Sequence, residues 1–243
     1  MKPSPSISSL FLTHLVIIPD GNRRWARLHN LTPWRGHRKG IERFEEIANE
    51  LLLKYEIPYT TFWAASRDNL VKRSTQEVRF LYRLFATNFR RLAKDKQIHK
   101  NKIRVRVLGF WPEIVPKFLV NAIEEVTRVT SPYKKRSLTF LLGYDGIEEM
   151  VRAIKKIIQE GISQDEIKYE TVKQHLLTSS LPPVDYIIRT GTDNDPHNSA
   201  GFMMWHTVYS QFYFTQTFWP DFTKEELRKA LEEFKRRERR LGG

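Results

Sequence analysis

The chain has 243 residues, 40% of them hydrophobic, and its 41 Lys and Arg against 28 Asp and Glu leave a formal charge of +13. That length fits one α/β domain with an ample core. No run approaches the roughly 18–20 apolar residues of a membrane span, and the lack of cysteine excludes disulfides and thiolate metal sites and fits a reducing cytoplasm.

In chain order, residues 1–12 are rich in Ser and Pro and read as a loose lead-in without the apolar segment of a signal peptide; residues 13–243 read as a single domain. His14–Ile18 is an apolar run that predicts a buried strand, and it ends in Asp20-Gly21-Asn22-Arg23-Arg24. Backbone N–H groups at a strand end feeding a helix point outward unpaired and attract anions. Gly21 permits a close backbone approach, the arginines offer forked donors to phosphate oxygens, and Asp20 can hold a hard cation on the same phosphates. Carboxylate, glycine and guanidinium together suggest a Mg2+-diphosphate site. Trp34-Arg35-Gly36-His37-Arg38-Lys39-Gly40 opens a helix whose apolar face runs Ile41, Phe44, Ala48, Leu51, Leu52.

Tyr59–Ala65 predicts the second strand, followed by Ser66-Arg67-Asp68-Asn69 and the cations Lys72-Arg73. Ser74-Thr75-Gln76-Glu77 is a capping box opening a helix with Val78, Leu81, Tyr82, Phe85 and Phe89 on one face. Further strands are predicted at Ile103–Leu108, Leu138–Leu142, Val184–Ile188 and Phe212–Phe214. Helical periods continue at Ile147, Met150, Val151, Ile154, Ile158 and, after a Thr223–Glu226 capping box, at Leu227, Ala230, Leu231, Phe234. Glu232/Arg236 and Glu233/Arg237 offer i,i+4 support to this last helix.

Strand alternating with helix predicts an α/β fold with a central, mostly parallel six-stranded sheet flanked by helices. Ligands bind beyond the carboxyl ends of such strands. The polar clusters after the first, second, fourth (Tyr144-Asp145) and fifth (Arg189-Thr190-Gly191) strands therefore belong to one expected site. The basic excess fits nucleic acid, anionic headgroups or a polyanionic small substrate. No helix-turn-helix, zinc or RNA-recognition pattern accompanies it, so a diphosphate substrate handled beside a membrane is expected rather than nucleic acid.

The segment Asp20–Ala26 resembles the Asp-Gly-Asn-x-Arg-(Trp/Tyr)-Ala motif of the cis-prenyltransferases, the undecaprenyl and dehydrodolichyl diphosphate synthase family. Gly36-His37-x-x-Gly40, the Ser66–Asn69 element, Asp185–Gly191, Phe202–Trp205 through Phe222, and the tail Arg237–Gly243 are similar to further elements of that family, so the resemblance spans residues 14–243. It implies an undecaprenyl diphosphate synthase-like fold with an apolar tunnel and prenyl transfer from an allylic prenyl diphosphate. By the same resemblance Asp20 is the catalytic acid and metal ligand for Mg2+, with Asn22 beside it. Gly21, Asn22, Arg23, Arg24, Arg35, His37 and Arg73 are the expected allylic diphosphate-binding residues. Ser66, Asn69, Arg189, Asp193 and Arg240 are expected to bind the acceptor, isopentenyl diphosphate in ordinary relatives. The tail implies a homodimer, with a heteromer as the other arrangement, in the cytoplasm with peripheral membrane association.

Several positions depart from the family pattern. Pro33 stands where an arginine normally precedes the histidine, leaving Arg35 to rebuild the clamp, and Leu70 replaces a tryptophan. Residues 192–202 are longer than usual and lack arginine, Ala200 falls at the expected serine, and Gln211 replaces a glutamate that helps hold Mg2+. An arginine–phosphate contact is worth roughly 1.5–3 kcal/mol, so its loss predicts altered acceptor chemistry: few elongation cycles, irregular coupling or an alcohol acceptor, with Asp193, Asp195 and His197 as candidates to orient a hydroxyl. Bulky Tyr82 is expected to shorten the product. The alternative is a non-catalytic partner subunit, against which the retained Asp20, Asn22, Arg24 and His37 count.

Overall fold

The computed structural model describes residues 12–199 and 201–237. Six strands form one sheet, β1 (His14–Ile18), β2 (Tyr59–Ser66), β3 (Ile103–Leu108), β4 (Arg136–Tyr144), β5 (Tyr186–Arg189) and β6 (Gln211–Phe214), in the order β3-β4-β2-β1-β5-β6. Every neighbouring pair is parallel, so each connection must cross a face of the sheet. The crossovers carry α1 (Asn22–Leu28), α2 (Pro33–Asn49), α3 (Arg67–Lys72), α4 (Thr75–Ala93), α5 (Lys96–Lys100), α6 (Lys117–Thr130), α7 (Gly146–Gln159) and α8 (Tyr169–His175), and α9 (Lys224–Arg236) follows β6. With both faces covered, β1 and β4 are buried at every residue, the pattern expected of a central parallel strand.

β1 is flanked by β2 on one side and β5 on the other, so strand order reverses there. The register aligns Ile18 with Arg189 and Ser66 with Tyr144. The loops after β1, β2 and β5 thus leave the same edge beside the switch point, where open α/β sheets hold ligands.

The expected strands all form, β1 and β3 with the predicted bounds and the others with shifted ends. β4 extends two residues beyond the predicted Leu138–Leu142 at each end; buried Arg136, paired with Glu56, and buried Ser137 hide its start from a reading based on apolarity. β5 begins two residues later than predicted, because the Asp185 carboxylate accepts from the backbone amides of Thr13 (2.7 Å) and His14 (2.9 Å). Leu12, assigned to the lead-in, is buried in the core; the rest of the lead-in lies outside the described residues.

Both capping boxes form only their first half. Ser74 Oγ accepts from the Glu77 amide and Thr223 Oγ1 from the Glu226 amide, both at 3.3 Å. The two carboxylates turn elsewhere, Glu226 to Lys229 and Glu77 to His37. Of the two predicted pairs on α9, Glu233–Arg237 forms, whereas Glu232 takes Arg228. α7 has the predicted period but turns its apolar stripe outward: Ile147, Val151, Ile154 and Ile158 are 40–70% exposed, while Glu149 and Ala153 face the core.

Candidate active site

Asp20 is held by its backbone. Its carbonyl accepts from Thr190 Oγ1 (2.8 Å) and the Trp219 amide (2.9 Å), which ties the loop after β1 to the loops after β5 and β6. The next residue, Gly21, has φ +99°, and a Cβ there would meet Phe218 at 2.5 Å, so the turn requires glycine. The Asp20 carboxylate then lies between two arginines from separate elements. Its Oδ1 is 3.2 Å from Arg24 Nη2 and its Oδ2 3.3 Å from Arg189 Nη2.

Around it opens a cavity of about 660 Å3, within the usual size of a small-ligand site. Asp20, Gly21, Asn22, Arg23, Arg24, His37, Ser66, Asn69, Arg73 and Arg189, all expected site residues, line it together. The opposite wall is apolar. Leu81, Leu84, Phe85, Phe89 and Leu92 present one face of α4 to it, and Phe44, Phe62 and Phe140 cluster on it with ring centroids 4.8–6.4 Å apart, Phe44 edge to face on Phe62. One space therefore joins a cationic end to an aromatic and aliphatic end. Tyr82 is not on this wall; its hydroxyl donates to the Ile114 carbonyl at 3.0 Å.

The cationic end is organised by a carboxylate that sequence reasoning assigned only to a helix cap. Glu77 Oε1 receives His37 Nε2 at 2.9 Å, with Arg73 at 3.3 Å and Arg23 at 3.8 Å. Burial pushes the His37 pKa down despite Glu77, and the His37 hydrogen bond holds the Glu77 carboxyl below its usual range. His37 is thus neutral near pH 7 and donates Nε2–H to a charged Glu77. The signal for Glu77 was the missing half of the capping box, which only side-chain direction reveals.

Three buried polar atoms in this wall have no partner: Arg73 Nε, Arg189 Nε and Asn22 Oδ1. Buried donors left unpaired cost free energy, and here both donors belong to guanidinium side chains that line the cavity.

The loop after β5 departs from expectation at its serine. Arg189 Nη1 donates to Ser199 Oγ (2.8 Å) and to the His197 carbonyl (2.5 Å), and Ser199 lines the cavity. Ser199, one residue before Ala200, meets the arginine; Ala200 itself is outside the described residues. Asp193, expected at the acceptor, pairs with Arg24 on the outer side of the loop. Arg35 is exposed and off the cavity wall, since the α2 face bearing Gly36, His37 and Gly40 points inward. Arg27 lines the cavity and was missed. Gln211 pairs in register with Tyr186 at the far end of β6 and does not line the cavity. Tyr144 and Asp145 do not line it either; they bond to Glu149 and cap α7. Arg240 lies outside the described residues.

Among the described residues no group of three or more His, Asp or Glu side chains could hold a metal ion. Asp20 offers a single carboxylate beside the cationic cradle, which suits a hard ion shared with a phosphorylated ligand and does not suit an all-protein cage.

The family model for undecaprenyl diphosphate synthase matches residues 18–242. The chain belongs to this family. It is a cis-type prenyltransferase, an enzyme that transfers alkyl groups other than methyl. An isoprenyl transferase of Thermus thermophilus is 38% identical over 241 residues, covering 94% of this chain and 88% of that protein. A tritrans,polycis-undecaprenyl-diphosphate synthase (geranylgeranyl-diphosphate specific) of Pyrococcus furiosus is 39% identical over 233 residues, covering 94% and 86%. Among solved structures, lavandulyl diphosphate synthase from Lavandula x intermedia, in complex with dimethylallyl diphosphate, superposes with a TM-score of 0.85 at 28% identity over 96% of this chain and 98% of that one. This prenyltransferase therefore shares its six-stranded parallel sheet with that family, and the cavity lies where its own loops converge.

Proposed function

We propose that this prenyltransferase elongates an allylic prenyl diphosphate with isopentenyl diphosphate. The donor's allylic C–O bond breaks and releases diphosphate, a new C–C bond joins donor to acceptor, and the acceptor loses a proton. The observation that carries this reading is the continuous cavity with the Arg23, Arg24, Arg73 and Arg189 side chains at one end and an aromatic and aliphatic wall at the other. On the donor side Arg23, Arg24 and Arg73 bind the diphosphate and stabilise the charge that grows on it as the bond breaks, with neutral His37 holding Glu77 beside Arg23 and Arg73. A Mg2+ ion bound at Asp20 and the phosphates would supply further charge neutralisation. The apolar wall excludes water from the allylic cation and receives the growing chain.

On the acceptor side Arg189 and Ser199 grip the second diphosphate. Ser199 supplies the serine contact to Arg189 that Ala200 could not, while residues 192–202 still lack the second arginine whose loss underlay the expectation of altered acceptor chemistry. Incubation of the purified protein with Mg2+, short allylic diphosphates and labelled isopentenyl diphosphate tests the proposal. Label in longer prenyl diphosphates is expected; diphosphate release only in the presence of an alcohol, or none at all, contradicts it. Ser199→Ala is expected to raise the KM for isopentenyl diphosphate roughly tenfold, the worth of one charge-assisted hydrogen bond, with the donor KM little changed; steady-state kinetics with each substrate varied checks this.

The outward stripe of α7, with Met204 beside Ile147, gives a second copy of the chain a surface to cover. Ile154→Asp is expected to convert a homodimer to monomer in analytical ultracentrifugation; an unchanged sedimentation coefficient contradicts this assignment. No helix among the described residues is long and apolar enough to cross a membrane. Peripheral attachment would use Arg79 and Arg83 on the exposed face of α4 and Lys94 just beyond its end, and co-sedimentation with anionic but not neutral vesicles is the expected result.

A further inference from the structure

The donor site lacks the cation that α2 was expected to contribute. Pro33 occupies that position, and Arg35 is exposed away from the cavity. α1 supplies three cations instead. Arg23, Arg24 and Arg27 are three and four residues apart, which places them on one helix face, and all three line the cavity with Asp20, His37 and Arg73.

Their partners differ. Arg23 leans toward Glu77, and Arg24 is held by Asp20, Asp193 and the Gly191 carbonyl. Arg27 is exposed, and no hydrogen bond or ion pair engages its side chain among the described residues. Two other guanidiniums beside it make an uncompensated third cation unfavourable unless an anion is drawn to the group.

We propose that Arg27 is a diphosphate-binding residue of the donor site, closing over the solvent-facing oxygens and replacing from α1 the arginine that α2 has lost. This rests on the reading of the cavity as an allylic diphosphate site. A forked guanidinium suits this task because it engages two phosphate oxygens at once.

Calorimetric titration of the full chain with inorganic pyrophosphate and Mg2+, alongside turnover of an allylic diphosphate, tests the assignment. Arg27→Ala is expected to weaken pyrophosphate binding about tenfold and to raise the donor KM similarly, with kcat within about twofold. Arg27→Lys should restore only part of the affinity, because an ammonium cannot fork. Arg27 is exposed, so thermal melting of the variants is expected to match that of the parent chain. If Arg27→Ala binds pyrophosphate as tightly as the parent, or if Arg35→Ala carries the loss instead, the assignment is overturned. If the parent chain neither binds pyrophosphate nor turns over any allylic diphosphate, the donor-site reading itself falls.

Discussion

Asp20→Asn is expected to lower prenyl transfer about a thousandfold while leaving the melting temperature nearly unchanged. Preorganised charges at a reacting centre are worth roughly 10²–10³ in rate when one is removed, and Asp20 has two such tasks. Its oxygens stand between Arg24 and Arg189, one arginine from each half of the site, and it is the carboxylate on the cavity wall best placed to share a cation with diphosphate. Asparagine keeps the shape and can still accept from the Gly21 amide, but it cannot balance two guanidiniums. The fold should tolerate the change because Asp20 is anchored through its backbone carbonyl and its side chain is 43% exposed. Single-turnover rates with saturating donor check the prediction. A loss under tenfold would remove Asp20 from the centre of the chemistry.

The second large effect concerns stability in acid. His14 and His206 are buried, and burial lowers both pKa values from 6.5 to about 4. Each is satisfied as a neutral ring: His14 bridges the Pro182 carbonyl (2.9 Å) and Thr61 Oγ1 (2.8 Å), and His206 bonds Thr178 Oγ1 (2.9 Å). Above pH 6.5 both are neutral whether the chain is folded or not, so their effect is absent. As pH falls below 6.5 the unfolded chain takes up protons that the native state refuses, and stability declines until the folded rings titrate near 4. At 1.36 kcal/mol per pKa unit, each histidine removes roughly 3 kcal/mol over that window. Glu149 acts in the opposite sense, since burial raises its pKa and the native state takes up a proton the unfolded chain has yet to bind. The net loss is still a large share of the roughly 5–15 kcal/mol that holds a typical protein together. Urea midpoints at about pH 7 and about pH 5 should differ clearly, the lower pH being less stable. Equal midpoints would mean that these histidines are protonated in the native state.

Much of this fold was legible because its strands are buried on both faces. His14–Ile18 announces itself as an apolar run and Ile103–Leu108 by its alternation, and both end where the structure ends them. Arg136 and Asp185 blurred two strand boundaries because a buried ion pair and a carboxylate bonded to backbone amides look polar in one dimension. The cationic end of the site was legible for a similar reason, since Asp20–Arg24 is contiguous and follows a strand.

What was hidden depends on side-chain direction. Glu77 reads as a cap residue, yet its carboxylate turns to His37. Arg35 was read as a phosphate ligand and Arg27 was not, yet Arg27 lines the cavity and Arg35 does not. Ser199 and Ala200 differ by a single position, and only the path of the loop shows that Ser199 meets Arg189. The stripe on α7 has perfect helical period, but periodicity does not say whether the partner for that face lies in the same chain.

The most direct test is a crystal structure of the full chain with Mg2+ and a non-hydrolysable allylic thiodiphosphate. The diphosphate is expected against Arg24, His37 and Arg73, with the metal on Asp20 and the hydrocarbon along Leu81, Phe85 and Phe89 of α4. A ligand whose headgroup lies outside this cavity, or whose chain leaves α4 uncovered, would contradict the account.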